Sequence, residues 1–408
     1  LKQKLEDRLG QLHVTPRTEE EVKIIASSSA RHRIPLTIRG GGTGNYGQCI
    51  PLDGGVILET TKLTAIIEIS DGRVICQAGA RMEQVEKAVS DTGQMLSMFP
   101  STKRLATMGG FVSGGSGGIG SLLHGMLRDG ENITYVKIVT VEEQPRTIEL
   151  HGRDTLDVQH AYGTNGIIIE MDYALAPATD WVHTIAIFDS YTESLKFAAQ
   201  SQESNLNSYL MTVVERRFSK FYRQLKNYFP AQKDAVFSMI APDAMTEYEQ
   251  KVIEMGGCVT LRKSLGELHS ENLPPAWECG WNHTTLQALK AEPDIWTYLQ
   301  VAYPRPFDTG LVSRQQKRYG EEVYFHHEMA RMDGEIQIFA LPILRWTSAD
   351  RTYEIIHELE NEDGCTVFDP HAYTIEDGGM KEINQKQINF KKEADPHGLM
   401  NPGKTRGW

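Results

Sequence analysis

No stretch of this chain approaches the ~20 consecutive apolar residues that a membrane-crossing helix needs. Cysteine is scarce: Cys49, Cys76, Cys258, Cys279 and Cys365 are five in number, scattered, and without a C-x-x-C pair. That pattern excludes a disulfide frame and a thiolate zinc site, and reads as reduced thiols in a cytoplasmic protein. Positive charge is short as well, with 42 Lys and Arg against 54 Asp and Glu and a formal net charge of −12. Such a balance argues against non-specific nucleic-acid binding, although local arginines can reverse the field within a cleft. Leu1-Lys2-Gln3-Lys4-Leu5-Glu6 is charged rather than apolar, so no signal peptide is expected there. A start at Leu rather than Met leaves room for a segment ahead of it. Repeats and low-complexity stretches are missing. The 408 residues are long enough for two domains and a sizeable core.

Glycine, by contrast, is concentrated. The apolar strand pattern Ile34-Pro35-Leu36-Thr37-Ile38 runs into Arg39-Gly40-Gly41-Gly42-Thr43-Gly44-Asn45-Tyr46-Gly47. Almost bare backbone there can bring amide N–H groups close to an anion, with pyrophosphate the obvious guest. The plain alternative is a flexible surface loop. The abrupt position after a strand, with Arg39 at the mouth and no linker composition, favours phosphate. The spacing lacks G-x-x-x-x-G-K-[ST], and no amphipathic helix follows Gly47 as a dinucleotide fold of the commoner kind requires. Loop amides, not a helix end, would hold the anion.

In chain order, residues 1–10 read as a charged helix end. Thr18 with Glu21 fits a capping box opening a helix whose stripe is Val22, Ile25 and Ala26. Strands are expected at 56–59, 65–69 and 74–77, and a helix at 81–92. A second glycine-rich loop spans Thr107-Met108-Gly109-Gly110-Phe111-Val112-Ser113-Gly114-Gly115-Ser116-Gly117-Gly118, after Pro100-Ser101-Thr102. Small residues there let backbone lie flat against a large planar ligand, with Thr107 and Ser113 as donors. The bland alternative is close helix–sheet packing. A hairpin is expected over 132–150, and the tight turn Tyr162–Gly166 feeds a strand ending before Pro177. The character changes at Pro177-Ala178-Thr179-Asp180. Beyond it strands and helices alternate, and a hairpin turns at Asp333-Gly334. This pattern gives an α+β cap with a mixed antiparallel sheet, ferredoxin-like in character.

Three segments together, Arg39–Gly47, Thr107–Gly118 and Tyr162–Ile168, resemble the FAD-binding domain of the vanillyl-alcohol-oxidase/PCMH superfamily. The members nearest in feel are FAD-linked enzymes acting on D-lactate, glycolate or D-2-hydroxyglutarate. The ending Asp395-Pro396-x-Gly398-x-Met400-Asn401-Pro402-Gly403-Lys404 matches that group's. The resemblance implies an α+β protein with a PCMH-type FAD-binding domain over 1–178, a substrate cap over 179–375, and a C-terminal return over 376–408. It places Arg39, Gly40, Gly41, Gly42, Thr43, Gly44, Asn45 and Tyr46 around the FAD pyrophosphate. Thr107, Gly109, Gly110, Ser113 and Gly114 would flank the diphosphate and isoalloxazine. Pro100 and Ser101 would lie along the flavin, and Gly166 and Ile168 by the adenine. Asn401 and Lys404 complete the set, and Lys404 has a solvated tail lysine as its plain alternative. Thr43 stands where covalent members often carry His, and Pro100–Leu105 holds no Cys, so FAD is expected to be non-covalent. Many D-2-hydroxy-acid members carry G-D-G-N-x-H and a later E-H-G that help bind a divalent metal. Here these positions read Arg331-Met332-Asp333-Gly334-Glu335-Ile336-Gln337 and Phe368-Asp369-Pro370-His371-Ala372-Tyr373, so no metal is expected.

Oxidising an alcohol at a flavin needs a base for the hydroxyl proton. His371 is the first candidate, because histidine needs least pKa adjustment; a surface histidine beside Pro370 stands equally. Tyr373 is the second. His326 and Glu328 share a strand face and His327 does not, for which a solvated face is the plainer reading than a metal site. His326 and Arg345 are the substrate-binding candidates, with Arg305 and Arg331 as weaker carboxylate anchors. Trp277, Trp281 and Trp296 read as cap core. The expected function is FAD-dependent oxidation of a small hydroxy acid or alcohol. The alternatives are an FAD-binding subunit of a larger assembly and a sugar or aromatic-alcohol oxidase. The expected partners are a small-molecule substrate and an electron acceptor that the sequence does not name, with a homodimer as the candidate assembly.

Overall fold

The computed structural model describes residues 5–129 and 131–406. Of the charged helix end expected over 1–10, residues 1–4 lie outside the described residues, and residues 8–10 carry no regular structure. The chain divides into two compact units. Unit 1 takes in the chain up to Gly117, Leu127–Ala178 and the chain from Asp369; unit 2 takes in Gly118–Met126 and Thr179–Phe368. The return to unit 1 thus begins at Asp369 rather than at 376, and His371 and Tyr373 belong to unit 1.

Unit 1 opens with β1 (Leu12–Val14) and a helix, Glu19–His32. Thr18 caps that helix, its hydroxyl accepting from the Glu21 amide at 3.2 Å. The Glu21 carboxylate takes the Arg17 N–H at 2.7 Å, one residue ahead of a regular capping box. β2 (Leu36–Arg39) and β3 (Val56–Glu59) follow, and the three strands form a parallel sheet in the order β1-β3-β2. The free edge of β2 is taken by the C-terminal segment. Leu36 donates to the Leu399 carbonyl and accepts from the Asn401 amide, both at 2.8 Å. The second sheet comprises β4 (Ile66–Ser70), β5 (Arg73–Gln77), β6 (Gln94–Leu96), β7 (Tyr135–Val139), β8 (Thr147–His151) and β9 (Ile167–Pro177). Its order is β4-β5-β9-β7-β8, with β6 also on β9, and its pairs are antiparallel. Val22, Ala26, Leu36, Leu58, Val139, Ile167 and Met400 pack one core between the helix and the two sheets.

Unit 2 begins as a β-α-β-β-α-β run. Its strands are β10 (Val182–Phe188), β11 (Ser208–Val214), β12 (Asp234–Ile240) and β13 (Cys258–Lys263), and its helices Tyr191–Glu203 and Met245–Glu254. The order β13-β10-β12-β11, antiparallel throughout, is the ferredoxin-like arrangement. Further strands are β14 (Trp296–Tyr298), β15 (Gln300–Ala302), β16 (Val323–Tyr324), β17 (His326–Met332), β18 (Glu335–Ala340), β19 (Ile343–Arg345) and β20 (Thr366–Phe368). β17, β18, β15 and β20 extend the sheet to eight strands, whereas β14-β19-β16 form a separate small one. β14 and β15, one residue apart in sequence, thus belong to two different sheets. The turn between β17 and β18 has Asp333 at φ 55° and Gly334 at φ 80°, as an Asp-Gly hairpin requires.

The second glycine stretch is not the loop that its composition suggested. Met108–Gly114 is a short α-helix whose cap is Thr107, with Oγ1 accepting from the Gly110 amide at 3.2 Å. Close packing explains glycine in a helix here. A Cβ on Gly109 would stand 2.6 Å from Ala78 Cβ. Helices Thr309–Tyr319 and Gln385–Ala394 were missed, being polar over most of their length.

Candidate functional site

The glycine loop leaves β2 at Arg39, and the Arg39 carbonyl stays pinned by the Thr60 amide at 2.9 Å. Gly40 then lies against the cap of the Met108–Gly114 helix. A Cβ there would collide with Thr107 Oγ1 and come within 3.2 Å of Gly110 Cα. On Gly41 a Cβ would strike the backbone carbonyl of Leu105, and Gly42 has φ +67°. These glycines therefore answer to the approach of one backbone to another. Gly42, Gly44 and Gly110 are exposed, so bare backbone from both segments faces outward at their meeting. The loop's far end is fixed. Tyr46 is buried, and its amide donates to Gln48 Oε1 at 3.0 Å. Thr43 and Asn45 lie between, half-buried. Pro100 and Ser101 form the turn ahead of the helix, where the Lys103 amide donates to Pro100 O.

The C-terminal motif anchors this loop. Asn401, buried at φ 44°, donates from Nδ2 to Gln48 O at 2.7 Å and to Tyr162 O at 2.6 Å. Lys404 is no solvated tail lysine. It is fully buried, donates to Gly47 O at 2.7 Å, and burial lowers its pKa to about 8. Asp395 accepts from the Leu399 and Met400 amides and pairs with the buried Lys391, which reaches Thr164 O. Gly166, at φ +93°, abuts the Ile138 side chain, and Ile168 is buried in β9 opposite Ile138. Ser113 and Gly114 are half-buried; the Ser113 carbonyl accepts from the Tyr162 amide.

His371 has a partner that sequence reasoning missed. Asp369 Oδ1 accepts from the His371 amide at 2.8 Å and stands 2.6 Å from its Nδ1. With Nδ1 donating to this carboxylate, Nε2 is the acceptor nitrogen of the ring. The side chain keeps 20% of its surface exposed, enough to meet a solute. Tyr373 lies near Lys404, whose Nζ is 5.6 Å from the ring centroid.

The expectation of a solvated face at His326 and Glu328 fails: both, and His327, are fully buried. Burial holds both imidazoles neutral, with pKa lowered to about 3, and raises the Glu328 carboxyl to about 8. Glu328 accepts from the Trp281 amide and pairs with the Thr212 hydroxyl, both at 2.6 Å. His327 faces the other way, with Nδ1 2.7 Å from Tyr191 Oη. The structure does not bring the two substrate candidates together. His326 is sealed in β17, while Arg345 ends β19 in the other sheet, exposed over the Trp296 ring. Arg305 pairs with Glu335, and Arg331 donates to Asn205 Oδ1. Trp277 and Trp296 are buried, and Trp281 packs on Met126, Ala330 and Phe339. Gln337, in place of the metal-motif histidine, spends its amide on Tyr303 O and Ile338 O. Among the described residues no group of three His, Cys, Asp or Glu is placed to hold a metal ion. Nor is any described helix long and apolar enough to cross a membrane.

Two pinned segments thus meet with little side chain between them at Gly40, Gly41 and Gly110. A family model described as an FAD binding domain matches residues 11–148. This is the class of FAD-binding proteins. Among curated proteins, the glycolate oxidase subunit GlcD of Escherichia coli K12 is 30% identical, over 97% of this chain and 83% of its own length. A D-lactate dehydrogenase of Archaeoglobus fulgidus is 35% identical over 41% of this chain, but that match spans only 36% of the relative. A D-2-hydroxyglutarate dehydrogenase of E. coli K12 is 31% identical over 37% of this chain and 16% of the relative. Among solved structures, an alkyldihydroxyacetonephosphate synthase superposes with a TM-score of 0.72 at 13% identity, covering 96% of this chain and 76% of that one. At that identity it shows shared fold alone. The chain belongs to the family of FAD-linked oxidoreductases that includes GlcD.

Proposed function

We propose that this chain oxidises a small hydroxy acid or alcohol with a dissociable FAD. The observation that carries the proposal is the pair of backbone segments meeting at Gly40, Thr107 and Gly110, where Gly40 and Gly41 leave no room for a Cβ and Gly42, Gly44 and Gly110 leave backbone exposed. Residues 39–46, Thr107, Gly110, Ser113 and Gly114 would hold FAD; Thr43 offers no ring nitrogen for a covalent bond to it. When bound, FAD supplies a hydride acceptor.

The chain's own part is the proton. His371 Nε2 takes the substrate hydroxyl proton, while Asp369 fixes the tautomer and stabilises the imidazolium that results. Of the two substrate candidates Arg345 is the exposed one, and its guanidinium can pair with a carboxylate. The proposal gains support from the names of the relatives, which act on D-lactate, glycolate and D-2-hydroxyglutarate. One name also favours a second reading: the relative that aligns with 97% of this chain is called a subunit. On that reading the chain works in a multi-subunit oxidase, and a partner chain passes its electrons on.

Anaerobic addition of hydroxy acids and simple alcohols to the purified, FAD-loaded chain separates the two. Bleaching of the flavin absorbance by one of them supports the enzyme working alone. No bleaching by any of them, with FAD bound, supports the subunit reading.

A further inference from the structure

Residues Gln159–Tyr162 belong to unit 1 and lie just ahead of β9. Their backbone is held against the Met108–Gly114 helix: the His160 amide donates to Val112 O and the Tyr162 amide to Ser113 O, both at 2.9 Å. Both residues take positive φ, 48° and 52°. On the other side, the Asn401 amide that grips Tyr162 O also grips Gln48 O, just past the glycine loop. The Tyr162 ring lies 6.5 Å from the Tyr46 ring and 5.4 Å from His160. The segment is thus tied to both halves of the cradle.

Three of its side-chain atoms are buried and have no hydrogen-bond partner: Gln159 Oε1, His160 Nε2 and Tyr162 Oη. Tyr162 is 2% exposed and Gln159 5%. Folded chains rarely leave buried polar atoms unmet, and three within four residues ask for an outside partner. Their chemistry is defined. His160 Nδ1 lies 2.8 Å from Gly115 O, so Nδ1 carries the proton and Nε2 accepts. Burial, with the nearby Lys381 and Arg128 cations, lowers the His160 pKa to about 4, so the ring is neutral at pH 7. Gln159 Oε1 is an acceptor as well, because Nε2 of that amide already donates to Thr155. Tyr162 Oη offers a donor.

We propose that Tyr162 Oη, His160 Nε2 and Gln159 Oε1 are a polar wall of the FAD seat, each hydrogen-bonding to the cofactor. This rests on the reading of the glycine cradle as an FAD site. FAD presents both kinds of complement: ring N–H, amine and hydroxyl donors for the two acceptors, and ring, carbonyl and phosphate acceptors for the phenol.

The test uses the full chain freed of flavin, titrated with FAD by flavin fluorescence, with melting measured before and after loading. Tyr162→Phe is expected to weaken FAD binding about 5–10-fold, the loss of one hydrogen bond. The flavin-free variant is expected to melt at or above the parent, because the substitution deletes a hydroxyl that has no partner there. His160→Gln serves as the second variant and is expected to weaken binding too. Unchanged FAD affinity in both variants overturns the proposal and leaves buried water as the partner. Weaker binding together with an equally lower flavin-free melting temperature also overturns it, since that is a packing defect. If the parent chain itself takes up no FAD, the cradle reading falls first and this wall with it.

Discussion

In unit 1 several buried charged and amide groups around the C-terminal motif are spent on backbone. Lys404 holds Gly47 O, Asn401 holds Gln48 O and Tyr162 O, and Lys391 with Asp395 ties Thr164 O to the Leu399 and Met400 amides. Lys404 and Asn401 thereby hold the far end of the glycine loop, which has few side chains of its own. In unit 2 three buried titratable groups, His326, His327 and Glu328, sit on one strand, and burial makes each neutral. They bond to a tryptophan carbonyl, a tyrosine, a threonine and one amide. The contrast is between polar groups that hold loop backbone and polar groups that lock a closed sheet. Charge in a strand is therefore weak evidence of a site, whereas clustered glycine beside a buried lysine is stronger.

The largest expected effects lie in unit 1. Gly41→Val places a side chain against the Leu105 carbonyl, which is backbone and has nowhere to swing. The purified variant is expected to carry no flavin while keeping its far-UV circular dichroism. Gly42→Val is expected to lose flavin as well, through its φ of +67°, although its nearest neighbour is a side-chain end, the Arg39 guanidinium, rather than backbone. Flavin retained at the parent level in the Gly41 variant would remove this loop from the cradle and dissolve the contrast. Next in size, His371→Ala is expected to slow flavin reduction by about 10²–10⁴-fold once a substrate is in hand. Bound flavin and melting should stay near the parent, because His371 is half-exposed and fills no core. Reduction at the parent rate would shift attention to Tyr373.

How much of this was legible beforehand follows from the same contrast. Gly40, Gly41 and Gly42 stand out in the sequence because glycine answers to backbone demands, and theirs come from the loop itself and from Leu105–Gly110. At the start of unit 2 the alternating apolar runs show β10 and β12 with their two helices, but not β11 and β13. The Met108–Gly114 helix was not legible, since its glycines serve a packing contact with Ala78 that no local pattern displays. The burial of His326 and Glu328 depends on β11 and β18 flanking β17, a register set by residues far away in sequence. Asp369 as the partner of His371 needed only a two-residue spacing, and an Asp-Pro-His turn was the signal that went unused.

Unit 2 should show its contrast in pH. Glu328 keeps its proton to about pH 8 in the fold, against an ordinary value of 4.5. Its contribution to stability is complete below 4.5 and is lost as pH rises through about 8. The two histidines act oppositely: their contribution is complete above 6.5 and is lost as pH falls towards about 3. Glu328→Gln keeps an acceptor for the Trp281 amide and a donor for Thr212, and it removes one of these slopes. Its melting temperature is expected to fall less than the parent's between pH 5 and pH 8. Parallel curves would mean that Glu328 is ionised in the fold. The smallest effect is expected for Lys404→Met, which leaves Gly47 O unmet inside the protein. The cost is about 1–3 kcal/mol of stability, with weaker FAD binding alongside. Chemical denaturation of the flavin-free chain measures the first and flavin fluorescence the second.

Bare backbone at residues 39–47 and 107–114 is proposed to hold FAD without a covalent bond. Acid precipitation of the purified chain tests it most directly. The expected result is a yellow supernatant whose flavin is FAD, equimolar with chain, over a colourless pellet. Flavin that stays with the pellet contradicts the non-covalent seat, and a chain that neither carries nor takes up FAD contradicts the seat itself.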